Sequence, residues 1–71
     1  MSDWDYVDFR QNHELNYHLK LVDKSQSEDN RAFLREKTPW TAKKKLGKIV
    51  LTHYEFKPFV VSDKVYLVDP A

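Results

Sequence analysis

Apolar residues return at helical spacing in the first half of this chain and alternate in the second. Between Asp8 and Val22, the residues Leu15, Leu19 and Val22 recur three and four apart, with Gln11 and Tyr17 in adjacent positions. That period predicts an amphipathic helix over 8–22. The run "DKSQSE" then breaks the pattern. Ser25 with Glu28 three residues on has the form of a capping box, which predicts a second helix over 26–36 burying Ala32, Phe33 and Leu34. Thr38-Pro39 restarts the chain, since threonine accepts free helix-end amides and proline at a first helical position gives up no hydrogen bond. A short third helix follows to Leu46, and Gly47 suits the left-handed residue after its end.

Beyond Gly47 the character changes. "KIVLTHYEF" (48–56) is rich in β-branched and aromatic residues, and strict alternation sets Val50, Tyr54 and Phe56 on one face and Ile49 and Leu51 on the other. Lys57-Pro58 reads as a turn, "FVVSDKVYLV" (59–68) as further strand, and Ser62-Asp63-Lys64 as a second turn or a bulge. The expectation is an α+β domain: two or three short helices followed by a C-terminal antiparallel β-hairpin or meander. Helix, helix, helix, hairpin is also the order of winged-helix domains, a likeness of architecture that rests on no signature residue.

Length sharpens this picture. At 71 residues the chain is expected to form one small domain over 1–71, near the size at which a single core is only just sufficient. With no cysteine, neither disulfides nor thiolate metal ligands support it. Aromatic residues make up 14%, and each buries a large area. No apolar run approaches the roughly 20 residues of a membrane span, and "MSDWDYVDFR" is acidic where a signal would be basic and then apolar. A soluble, cytoplasmic protein without membrane contact is the expectation.

Net charge is only +1, yet the signs are segregated. Residues 1–8 form an acidic, aromatic arm carrying Asp3, Asp5 and Asp8. Residues 37–48 carry Lys37, Lys43, Lys44, Lys45 and Lys48 and no acid. Such polarity steers partners by charge but differs from the strongly basic balance of a bulk nucleic-acid binder.

Catalytic chemistry is hard to assemble from these residues. "HELNYH" (13–18) nearly spells the zinc-protease signature, but His13 and His18 are five apart, about 140° around a helix. A Glu14–His18 surface pair is the plainer expectation. Asp3, Asp5 and Asp8 lack the glycine turn and distal glutamate of a calcium loop. Ser2, Ser25, Ser27 and Ser62 fall in arm, cap and turn positions, away from any evident base. His53 beside Glu55 reads as an acid/base pair or, more plainly, a cross-strand contact. A chain with one glycine builds no glycine-rich phosphate loop. The reading is a protein that is no enzyme, with no cofactor, no metal and no small-molecule substrate.

Binding is what remains. Trp4, Tyr6 and Phe9, interleaved with carboxylates, and Tyr17 on the first helix are candidate protein contacts, because aromatic anchors dominate binding energy; the alternative is that Trp4 and Phe9 cap the core. Trp40, Lys43, Lys44, Lys45 and Lys48 are candidates for nucleic acid or an acidic partner. Lysines meet phosphates, while the usual base readers arginine, asparagine and glutamine are missing from this helix, so any DNA contact would tolerate sequence. The alternative is a solvated helix face whose lysines complement the helix dipole. A very short, cysteine-free, aromatic-rich and charge-segregated chain, with "HELNYHLKLV" and "KTPWTAKKKLG" as the stretches to compare, resembles the small phage-encoded regulators of bacterial RNA polymerase of the Xanthomonas-phage type. That resemblance implies bacterial RNA polymerase as the partner, inhibited or redirected initiation and altered termination as the effect, and the host bacterial cytoplasm as the place of action. A small DNA-binding repressor using the basic third helix is the rival reading.

Overall fold

The computed structural model describes residues 4–70, and in it the chain is all-α. Helix α1 spans Asn12–Leu21, α2 Glu28–Glu36, α3 Thr38–Leu46 and α4 His53–Asp63, and a 3₁₀ turn, Lys64–Tyr66, follows. A single residue, Lys37, separates α2 from α3, so the course is three helical runs with the middle one broken. Each helix packs on the next, and α4 closes back on α1.

The first three helices form for local reasons. On α1, Leu15, His18 and Leu19 share one buried face at the three-and-four spacing. Its end is a Schellman motif: Asp23 is left-handed at φ 58°, Lys24 N–H donates to the Leu19 carbonyl at 2.9 Å and Asp23 N–H to that of Lys20 at 3.2 Å. Ser27, not Ser25, caps α2, accepting from Asn30 N–H at 3.3 Å. Pro39 sits in the first turn of α3, and Thr38 does not cap that helix; its hydroxyl donates instead to Asp63 of α4 at 2.9 Å. Gly47 ends α3 at φ 67°, the conformation only glycine adopts without strain.

The C-terminal half overturns the α+β expectation. Among the described residues there is no strand, only a single antiparallel bridge between Tyr6 and Thr52. Residues 53–63 are helical, so no hairpin exists to serve as the wing of a winged helix. The start of α4 is a full capping box: Thr52 Oγ1 accepts from Glu55 N–H at 3.2 Å, and Glu55 accepts from Thr52 N–H at 3.0 Å. From there His53, Phe56 and Val60 fall on one buried face. Pro58 lies inside this helix, at a cost of about 3 kcal/mol for an interior proline. Burying Phe56 and Val60, each worth roughly 1.5–3 kcal/mol, offsets it.

The core joins Val7, Leu15, Leu19, Leu34, Ala42, Leu51, Phe56, Val60 and Leu67, with Phe9, Val22, Phe33 and Phe59 packed against it. Both ends of the described residues are tied in. Val7 N–H donates to the Leu51 carbonyl at 2.8 Å and His53 N–H to that of Asp5 at 2.9 Å. At the other end, buried Asn30 donates to the Ser25 and Val68 carbonyls at 2.8 and 2.9 Å and accepts from Val68 N–H at 2.9 Å. This amide, with the Ser25 N–H donating to the Val68 carbonyl at 3.0 Å and Lys24 paired with Asp69 at 2.5 Å, fastens the tail to the α1–α2 turn. Among the described residues no helix is long and apolar enough to cross a membrane.

Candidate functional site

Two polar or aromatic constellations stand out, one buried and one on the surface. The buried one begins at Glu14 on α1. Its Oε1 accepts from the Asp8 N–H at 3.0 Å and from His53 Nε2 at 3.0 Å; His53 Nδ1 in turn lies 2.9 Å from His18 Nε2. Both rings are enclosed, with 0% of His18 and 1% of His53 exposed, and they stack nearly parallel at 9°. The expected Glu14–His18 surface pair is thus replaced by a relay in which His53, from α4, stands between them.

The carboxylate sets the direction of this relay. It only accepts, so His53 Nε2 carries the proton given to it; a neutral His53 then accepts at Nδ1, and His18 donates from Nε2. The network assigns both tautomers. Tyr17 closes the pair edge-on, 5.3 Å from His18 and 6.0 Å from His53, and Phe56 approaches His18 at 4.9 Å. Among the described residues no group of three histidine, cysteine, aspartate or glutamate side chains is placed to hold a metal ion. The relay does what a buried polar network does in a small core: it specifies one pairing of α1 with α4.

The surface constellation is aromatic and basic. Trp4, 74% exposed, stacks on exposed Tyr54 at 5.4 Å, and the bridge to Thr52 places exposed Tyr6 beside them. Tyr54 leads into a cleft of about 500 Å³ lined by Leu46, Tyr54, Glu55, Lys57, Pro58 and Phe59. The loop joining its walls carries Val50, about half exposed, and Ile49, 86% exposed. Lys48 reaches across to Glu55. That hydrogen bond, with a smaller contribution from the Thr52 backbone, holds the Glu55 carboxyl below its ordinary range.

The remaining candidates are distributed otherwise. Phe9 packs edge-on to Phe56 at 5.1 Å, on the core. Lys43 lies over the outer face of Phe9 at 5.3 Å, and Lys44 lies over Trp40 at 4.9 Å. Trp40 itself is 64% exposed on α3, and Lys45 is exposed near the end of that helix. The structure therefore gathers Trp4 and Tyr6 with Tyr54, sets Trp40 and Lys44 together on α3, and draws Phe9 and Tyr17 inward. Of the acidic arm, Asp3 lies outside the described residues. Asp8 accepts from Arg10 Nε at 3.2 Å, and this hydrogen bond lowers its carboxyl below the usual carboxylate range.

Reading the sequence missed Leu46, Ile49, Val50, Tyr54, Pro58 and Phe59 as a surface. A signal existed: 46–59 contains more large apolar residues than one face of one short element buries. The histidine relay left no signal, because its rings come from positions 35 residues apart. No protein-family model, curated protein or solved structure matches this chain.

Proposed function

We propose that this chain is a non-enzymatic regulator that works by attachment to a large protein assembly, and that the assembly is bacterial RNA polymerase, whose promoter-dependent transcription it inhibits or redirects. The observation that carries the binding reading is the exposed Trp4–Tyr54 stack, whose Tyr54 also lines the Leu46–Phe59 cleft, together with the exposed Ile49 and Val50 of the loop between α3 and α4. Single exposed apolar residues are normal, but a contiguous group on a small domain marks an interaction site. The polymerase as partner rests on the resemblance in size, charge segregation and aromatic content. Immobilised protein is expected to retain purified bacterial RNA polymerase at modest salt, nuclease treatment included, and to depress promoter-dependent run-off transcription. Absence of retention would remove the polymerase reading.

A second reading has its own observation. Exposed Trp40 with Lys44 across its ring, on a helix without acids, is the combination of aromatic platform and positive charge that suits a nucleic-acid strand. It predicts affinity that falls steeply with salt, as neutralised phosphates release counterions. Replacing Lys43, Lys44 and Lys45 by glutamine would flatten that slope. No measurable affinity at low salt removes this reading.

A further inference from the structure

We propose that the cleft between the end of α3 and the outer side of α4 is the docking groove for an acidic amphipathic helix of the protein partner. This deepens the binding reading above and rests on it for the partner's identity, but the groove and the chemistry of its occupant are argued from the cleft alone.

The floor is apolar. Leu46 closes one side, and Tyr54, Pro58 and Phe59 form the other. On α4, Tyr54 with Pro58 and Glu55 with Phe59 are pairs four residues apart. Each pair forms a ridge inclined to the helix axis, the relief into which the side chains of a crossing helix interdigitate. A segment docking by strand addition would need an unpaired strand edge to extend, and among the described residues there is no strand. A helix laying its apolar stripe into the groove needs only side-chain contact.

Charge selects the occupant. From Lys37 to Phe59 the chain carries six lysines, and Glu55 is its one acid. That acid accepts from Lys48 and from the Thr52 backbone, so it is already compensated and opposes an incoming carboxylate little. Lys57 lines the cleft itself. A partner helix with carboxylates flanking its apolar stripe would meet positive potential on approach, whereas a basic one would meet like charge. A second copy of this chain is a poorer fit. Its most acidic helix, α2, already buries Leu34 in its own core with Phe33 packed against it, so it has no free apolar stripe to lay into the groove.

The test uses the whole chain and two synthetic helical peptides: one with leucines at positions four apart and glutamates elsewhere, the other with lysines in place of the glutamates. The acidic peptide is expected to shift the amide resonances of Leu46, Tyr54 and Phe59, and raising salt from about 50 to about 500 mM is expected to weaken it severalfold, because screening shortens the reach of the lysines. Leu46→Glu and Lys57→Glu, each with unchanged circular dichroism, are expected to weaken it about tenfold, which corresponds to about 1.4 kcal/mol. Equal or tighter binding of the basic peptide, shifts confined to other faces, or a dilution-sensitive dimer that occupies this cleft would each overturn the proposal. Polymerase retention separates the two levels. If the acidic peptide seats in the cleft but polymerase is not retained, the groove stands and the partner's identity fails. If polymerase is retained and Leu46→Glu leaves retention undiminished, the groove fails and the identity stands.

Discussion

Removing the middle member of the buried relay tests how much of this small domain depends on it. In His53→Leu the apolar volume is roughly kept, but both hydrogen bonds of the ring are lost: 3.0 Å to Glu14 and 2.9 Å to His18. His18 Nε2 is left facing a hydrocarbon in a fully enclosed position. Leaving a buried polar group in that state costs about 1–3 kcal/mol. Glu14 keeps the Asp8 N–H and is partly open to water, so its loss falls at the lower end, near 1 kcal/mol. The sum is about 2–4 kcal/mol. At roughly 0.05–0.15 kcal/mol per residue, a domain of this length has only about 4–10 kcal/mol in total. Urea unfolding followed at 222 nm should therefore show a large fall in midpoint at unchanged slope. The decisive comparison is with His18→Leu/His53→Leu. Exchanging both partners for apolar groups removes the stranded imidazole, so the double variant should be no less stable than His53→Leu alone. A double variant destabilised by the sum of the two single losses would refute the argument. So would nitrogen-resolved spectra that place the protons of the two neutral rings elsewhere than on Nε2.

Two further outcomes follow from the same geometry. Asn30→Asp exchanges a donor to the Ser25 and Val68 carbonyls for an acceptor; it should cost about 2–4 kcal/mol and raise amide exchange first at Val68, and protection unchanged there would count against the clasp. On the acid side, Glu28 is held below its ordinary value, 4.5, chiefly by the Arg35 hydrogen bond and then by Arg31, and Glu55 chiefly by Lys48. The unfolded chain therefore binds protons first. The stability these groups supply is complete above about pH 4.5 and is lost as pH falls through the lower folded-state values. The urea midpoint should drop between pH 6 and pH 3, and by less in Glu28→Gln; an equal drop in that variant would contradict the assignment.

The helices that could be read in advance are those whose signals are local. Leu15 and Leu19 recur at helical period, Pro39 and Gly47 punctuate α3, and the expected ends lie within a few residues of those observed. Even there, the capping serine is Ser27, whose hydroxyl accepts from the Asn30 backbone N–H, while Ser25 meets the Asn30 side chain through its carbonyl. Residues 48–68 mislead because "KIVLTHYEF" alternates convincingly and Lys57-Pro58 looks like a turn. Short apolar runs carry both periods. The capping box at Thr52–Glu55 is a helix-start pattern visible in "THYE", but in the sequence it stands against β-branched residues and the proline. For the surface, Trp4 and Tyr6 could be suspected from the arm's composition, whereas Tyr54 could not be assigned to the same face until the bridge at Thr52 brought the arm alongside.

By itself, the order of residues determined that no disulfide supports these 71 residues, that the first half is helical, and that lysines gather between 37 and 48. These are properties of composition and near-neighbour spacing, and no distant contact alters them. Tertiary structure decided the rest. Phe56 and Val60 find a core face only if 53–63 coils, and that burial outweighs both β preference and an interior proline. The same coiling carries His53 to His18 and Glu14, and turns Tyr54 outward to meet Trp4. Each depends on partners far away in the chain, which local pattern does not encode.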